Sequence, residues 1–279
     1  MHDRFGMSNI TTENNHRRIA LLVEYDGTAY NGFQYQKNAP SVQGVLESAI
    51  WSLTGEKARI KSAGRTDTGV HATGQVVCLD TYSNHSVQIF KQALNHYLPE
   101  DISIRDASEV SPDFDPRRSA QSREYVYKIL NAKTASPILR QFVHLVKRDL
   151  HLELMKEASA SLLGIIDCSP FSGPLGSRKS AVRTIYRCDV SAERNFIIVS
   201  MKASGFLHQQ VRRTVGSLIE VGLGNLTVDK FKSLTGLGAA RWVAPAKGLF
   251  LVKVNYHDNL FNKSSITNEH NVKEVGTLI

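Results

Sequence analysis

Cysteine is scarce in this 279-residue chain: Cys78, Cys168 and Cys188 are the only three. They are far apart and odd in number, so they define neither a disulfide framework nor a Cys-x-x-Cys metal site. Two fall in apolar-rich stretches, which reads as buried, reduced thiols in a reducing compartment. Long apolar runs are also missing, and none approaches the roughly 18–20 residues that cross a bilayer. The opening, MHDRFGMSNITTENNHRRIA, is polar and has no apolar core of the secretory type. Its acidic residues, mixed with Arg, do not suit an organelle transit peptide either. His71 and His208 have no carboxylate or thiol at ligand spacing, so they read as structural or facing a bound partner, and no metal is expected.

Hydrophobic residues make up 42% and charged residues 22%, ordinary values for a globular protein of one large or two small domains. The formal charge of +8 and a pI near 9.4 favour a polyanionic partner through phosphate neutralisation and counterion release. Clustering says more than the total: Arg117-Arg118, Arg178-Lys179 with Arg183, and Arg212-Arg213 stand together.

Residues 1–16 read as a disordered arm and 258–279 as a flexible tail, with two halves, 17–125 and 126–257, between them. Ile19 to Glu24 is a buried strand ending at the turn Asp26-Gly27. Ser41 suits the N-cap of a helix in which Val42, Val45, Leu46, Ala49, Ile50 and Leu53 recur at helical spacing. Val87 to Leu98 repeats that period, placing Ile89, Phe90, Ala93, Leu94 and Tyr97 on one side, and Pro99 ends it. Ile102 and Ile104 open a short strand, and Asp113 to Ser122 is a polar, basic loop. Ser122 to Leu130 alternates, setting Tyr125, Tyr127 and Ile129 against Val126 and Lys128. Leu150 to Leu163 is helical, and the Gly-, Pro- and Ser-rich run Ser169 to Ala181 is a loop. Thr184 to Ser191 and Phe196 to Ala203 form a hairpin. Val211 to Leu223 and a segment from Val228 are helices, and Leu249 to Val254 is the last strand. Hairpins among alternating elements point to an α+β fold, its mainly antiparallel sheet flanked by helices, rather than a doubly wound parallel one. Lys61-Ser-Ala-Gly64 echoes Lys202-Ala-Ser-Gly205, which is compatible with two similar halves around a central cleft.

The chemistry concentrates in Lys61 to Leu79. Gly64-Arg65-Thr66-Asp67-Thr68-Gly69 combines two glycines with small hydroxyl residues and reads as a tight turn between strands. Alone, Arg65-x-Asp67 reads as an exposed ion pair contributing roughly 0–1 kcal/mol, or as a nucleophilic carboxylate offered by a turn. The whole run GRTDTGVHATGQVV closely resembles the catalytic motif of the TruA family of tRNA pseudouridine synthases, usually GRTDAGVHAxGQV, with Thr68 where Ala is usual. The resemblance covers roughly residues 19–257. EYDGTAYNGFQYQ resembles the opening EYDGxxYxGWQxQ, with Phe33 for Trp and Tyr35 where Arg is frequent. SREYVYKI, KASGFLHQQVRRTVGSL and APAKGLFLVKVNY resemble later motifs in family order, with Gln210 in place of the Met of FxxHMVR.

The resemblance implies a pseudouridine-synthase-like fold and an isomerase of uridine in RNA that uses no cofactor and no metal. Asp67 matches the nucleophile, without fixing whether it attacks C1′, attacks the base or first removes a ribose proton. Tyr125 matches the tyrosine stacked on the target base; its pattern also suits a core aromatic. Arg212 matches the arginine paired with the carboxylate, balancing its charge and fixing its geometry, and also reads as a helix-surface arginine. Leu249 matches an apolar residue of the uracil pocket and also reads as a core leucine. Arg65 matches the arginine associated with flipping the uridine, a step costing roughly a few kcal/mol. Arg117, Arg118, Arg178 and Lys179 are candidates for the RNA backbone by charge, or simply solvated surface. The family further implies a tRNA partner, uridines 38, 39 and 40 of the anticodon stem-loop, a homodimer and a cytoplasmic setting. The rival readings are the same chemistry on other RNA uridines, a non-catalytic RNA-binding or RNA-folding protein, and a carboxylate hydrolase whose partner acid is not visible.

Overall fold

Arg17–Tyr25 (β1) is covered on both faces, with Ile19, Ala20, Leu21 and Val23 fully buried. A strand this apolar belongs inside a sheet, and it pairs on both sides. The computed structural model describes residues 16–174 and 180–261. The expected arm apart from His16, the loop residues Arg178 and Lys179, and the expected tail beyond Phe261 lie outside the described residues.

The elements that follow β1 in the first half are α1 (Val42–Thr54), β2 (Lys61–Ser62), β3 (His71–Thr81), α2 (Val87–Tyr97) and β4 (Ile102–Val110). Next come β5 (Ser122–Asn131), β6 (His144–Val146), α3 (Leu152–Ala160) and β7 (Gly164–Asp167). The hairpin β8 (Val182–Glu193) and β9 (Phe196–Ala203) leads to α4 (Gln210–Gly222), α5 (Val228–Lys232) and β10 (Leu249–Asn255). The strands join one sheet in the order β4-β1-β3-β10-β5-β9-β8-β7, with β2 on β3 and β6 on β5. All pairs are antiparallel except β3–β10 and β5–β6. The expected α+β class, a mainly antiparallel sheet flanked by helices, is what the chain forms.

Strand β10 lies parallel beside β3, Phe250 opposite His71 and Leu251 opposite Ala72, and so joins strands β1–β4 to strands β5–β9. A Cβ on Gly74 would come 2.2 Å from the Val252 carbonyl oxygen, so only glycine allows that approach. Helix α1 begins as its sequence suggests. The Ser41 hydroxyl accepts from the Gly44 N–H, and Val42, Leu46, Ala49 and Ile50 form the buried stripe.

Some expectations need correction. On α2 only Phe90 and Leu94 are buried, while Ile89 and Tyr97 are 43% and 48% exposed. The helix packs on β4, the outermost strand, so a narrow line of its apolar residues is covered. The short strand from Ile102 runs nine residues to Val110. Its polar residues hid it, because this edge strand keeps its register with β1 by backbone pairing. Strands β6 and β7, three and four residues long, are too short to show a period.

Lys128 shares an alternating strand with buried Val126. Its ammonium lies 4.3 Å from the centroid of the Phe250 ring, and burial pushes its pKa down to about 8. A lysine with a depressed folded-state pKa costs stability at neutral pH, and the cost is relieved as pH rises from about 8 toward the ordinary lysine range. Replacing it by methionine, K128M, should stabilise the fold at pH 7 by on the order of 2 kcal/mol. The wild type should gain stability between pH 8 and 10 while K128M stays flat, as urea unfolding at several pH values would show.

Candidate active site

Residues 63–70 connect β2 to β3, and every turn of this connection is fastened. Gln75, fully buried, holds Gly64 from both sides: its amide oxygen accepts from Gly64 N–H at 3.3 Å, and its Nε2 donates to the Gly64 carbonyl at 2.8 Å. The Thr66 hydroxyl shares a 2.8 Å hydrogen bond with the phenol of Tyr25, whose pKa burial pushes up to about 12. The segment after β1 braces the same loop, with Phe33 N–H donating to Thr66 O and Gly69 N–H to Tyr30 O. Gly32 makes this possible: it holds φ +94°, and a Cβ there would sit 2.7 Å from Thr66 O. Phe33 is buried against Tyr25, ring centroids 6.3 Å apart, so the smaller ring still fills the brace. Thr68 is exposed and takes no part in the buried packing.

The Asp67 carboxylate meets α4 across 145 residues of sequence. Arg212 Nη1 donates to Asp67 Oδ2 at 3.0 Å, and Arg212 is itself held, its Nε donating to Ala244 O at 2.8 Å. The backbone closes that grip, since Ala244 N–H donates to Arg212 O. Asp67 Oδ1 lies 3.8 Å from His208 Nε2, beyond hydrogen-bond length. Gln210, buried where the motif usually has Met, accepts the Leu207 N–H on its side-chain oxygen at 2.8 Å. It ties down a backbone donor of the segment that leads into α4, which a thioether does only weakly.

Asp67 opens on a cleft of about 700 Å³, large enough for a nucleoside-sized ligand. Tyr125 and Leu249 line it, both nearly buried. The Tyr125 ring meets Phe206 edge-on at 5.1 Å, and burial raises its phenol far above the usual range, so it stays protonated. Both halves of the sequence echo, Ala63-Gly64 and Ser204-Gly205, also line the cleft. Among the described lining residues Asp67 is the one carboxylate, facing five arginines: Arg65, Arg117, Arg123, Arg183 and Arg212.

Arg65 is exposed and lines both this cleft and a neighbouring hollow of about 420 Å³. Arg59, Lys61, Arg117 and Arg118 line the hollow with it. Arg117 and Arg118 are placed by their backbone, both N–H groups donating to Asp115 Oδ1 at 2.9 Å. Arg59 lies 4.9 Å over the Tyr35 ring. Arg59 and Lys61 escape a search for adjacent basic pairs; the available signal was positive charge at every second residue, Lys57, Arg59, Lys61. Arg178 and Lys179 lie outside the described residues. His71 is buried and does not line the cleft; it is stacked on Phe250 at 4.7 Å with Nε2 2.9 Å from Gln141 O. Burial lowers its pKa, with the Asp26 carboxylate 3.0 Å from Nδ1 opposing that shift, and Gly27 N–H donates to Nδ1, so its place is that of a packing residue.

Comparison with known proteins shows which family the chain resembles. A family model described as tRNA pseudouridine synthase matches residues 21–117 and 158–257. The tRNA pseudouridine synthases A of Thermoanaerobacter sp. (strain X514) and Acetivibrio thermocellus are 40% and 44% identical to this chain over 246 residues. Each match spans 86% of this chain and 100% of the relative. Among solved structures, the archaeal box H/ACA sRNP Nop10–Cbf5 complex covers 73% of this chain and 44% of its own, at 12% identity and a TM-score of 0.34. That likeness is too slight to carry weight. The chain belongs to the tRNA pseudouridine synthase family of isomerases, in its TruA branch.

The brace gives a direct test. Gly32→Ala forces a side chain into positive φ and against Thr66 O, and should destabilise the fold by about 1–3 kcal/mol. Urea unfolding of the two proteins measures it, and equal midpoints would show that Gly32 does not constrain the loop.

Proposed function

We propose that this chain converts uridine to pseudouridine in tRNA, at positions 38, 39 and 40 of the anticodon stem-loop. On this reading it acts as a cytoplasmic homodimer, with Asp67 as the nucleophile. The observation that carries the proposal is a single carboxylate, paired with Arg212, opening on a cleft lined by five arginines. The reaction is an isomerisation. The C1′–N1 bond breaks, the freed uracil takes a proton at N1, the base turns, and C5 bonds C1′ as it releases its own proton. No atoms are gained or lost, and one carboxylate that attacks and leaves again suffices. A glycoside hydrolase works with a pair of carboxyl groups; the described lining of this cleft holds one.

The other residues take roles that suit their places. Arg212 holds Oδ2 and leaves Oδ1 without a hydrogen bond among the described residues. Tyr125 offers a ring face to the base, and Leu249 an apolar wall. Exposed Arg65, with its planar, permanent charge, stacks in the space the uridine vacates. Arg117 and Arg118, with Arg59 and Lys61, take the phosphates beside it, and Arg178 and Lys179 remain backbone contacts by charge. The position assignment rests on the family alone, so the same chemistry at other uridines is the second reading.

Tritium release from tRNA carrying [5-³H]uridine reports the reaction, because C5–C1′ bond formation expels that hydrogen. Wild type should release it, and Asp67→Asn should bind the same tRNA and release none. A transcript with cytidine at 38, 39 and 40 should give no release; continued release would move the target elsewhere. The neighbouring hollow makes a separate prediction. The double variant R59Q/K61Q should reduce the slope of log Kd against log salt by about 1–2, close to 0.7–0.9 per lost phosphate contact, with kcat unchanged. An unaltered slope would take the hollow out of the RNA path.

A further inference from the structure

Arg123 stands in the wall of the cleft, 8% exposed, with no carboxylate beside it in any ion pair among the described residues. Its guanidinium spends its terminal N–H groups on four backbone carbonyls instead. Nη2 donates to Ala63 O at 3.1 Å and to Arg117 O, and Nη1 donates to Ser204 O at 3.1 Å and Ala120 O at 3.3 Å. Burial alone would push such a cation toward neutrality, and its pKa is lowered for that reason. Charge-assisted donation to four carbonyls is what holds it in place.

Those carbonyls belong to three separate walls of the site. Ala63 precedes Gly64-Arg65 at the root of the Asp67 loop. Arg117 and Ala120 belong to the basic loop. Ser204 leads into Gly205-Phe206, where Phe206 packs on Tyr125. Ala63 and Ser204 are also the third residues of the two echoed tetrapeptides, Lys61 to Gly64 and Lys202 to Gly205, so one side chain grips the corresponding carbonyl of each half. Lysine cannot do this: its single ammonium has three donors at one point, whereas the planar fork reaches four acceptors spread around it.

We infer that Arg123 is a positioning residue: it sets the separation of the Asp67 loop from the Phe206–His208 wall, and so the distance between the carboxylate and the bound nucleoside. This rests on the pseudouridine synthase reading above. A displacement of reacting groups by about 1 Å can lower a rate by about a hundredfold, whereas tRNA affinity comes chiefly from many phosphate contacts elsewhere.

The experiment measures kcat, tRNA Kd and thermal unfolding for wild type, R123K and R123A, with the alanine variant assayed in guanidinium chloride against matched sodium chloride. Expected are a kcat lowered by about ten- to a hundredfold in both variants, a Kd within about threefold of wild type, and partial recovery of R123A by guanidinium but not by sodium. Full activity of R123K and R123A overturns the inference. So does a loss of binding as large as the loss of rate, an absence of rescue by guanidinium, or failure of both variants to fold, each of which makes Arg123 a scaffold or binding residue. A wild-type chain that makes no pseudouridine sinks the functional reading first; an active wild type with an equally active R123K sinks this inference alone.

Discussion

The site depends on one ion pair, Asp67 Oδ2 to Arg212 Nη1 at 3.0 Å, formed between residues 145 apart in sequence. Neither partner is placed by its own neighbours. Asp67 is carried by a loop that Tyr25, Tyr30, Phe33 and Gln75 fasten from three sides. Arg212 is carried by a helix that comes close to the segment before β10, where a Cβ on Gly216 would meet the Trp242 carbonyl at 2.4 Å. The glycines at these contacts let backbones approach where side chains would hold them apart. Partly buried pairs fixed in this way lose little orientational freedom when a ligand arrives, which is the sense in which such a site is preorganised.

The excess of arginine around Asp67 has an electrostatic meaning of its own. A concave wall lined by one sign of charge focuses its field into the cleft and draws a polyanion toward it. A single negative group at the bottom of that field would be poorly tolerated by an approaching phosphate. Arg212 neutralises it locally, so the net potential at the mouth stays positive while the carboxylate remains available within.

Much of this was legible in the sequence because its signals are local. The strand period of Ser122 to Leu130, the Ser41 cap and the Asp67 motif each fit within about a dozen residues. Arg212, Tyr125 and Leu249 could be placed at the site by resemblance to the family, and they line the same cleft in the structure. The hidden features were those whose partners are backbone atoms. Arg123 sits beside the motif tyrosine in SREYVYKI, yet its four acceptors are main-chain carbonyls, which carry no residue identity. Likewise Ile89 and Tyr97 follow the helical period and still face outward, because what α2 packs on is decided by sheet order and not by α2. Gln210 looks like a departure from the motif, and only the Leu207 N–H explains it.

The seam at β3–β10 has a consequence for how the chain is made. Strand β10, the last of the described strands, does not extend the sheet at its rim but fills a place between β3 and β5. Until residue 249 has emerged, strands β1–β4 and strands β5–β9 have no strand to join them, and each group keeps an open inner edge. Such edges invite pairing with other nascent chains, and closing them late, by contacts of very long sequence separation, is intrinsically slow. A chain cut short just before Leu249 would lose seven residues of strand and, with them, the link between β3 and β5. Its hazard would be aggregation as much as lost activity.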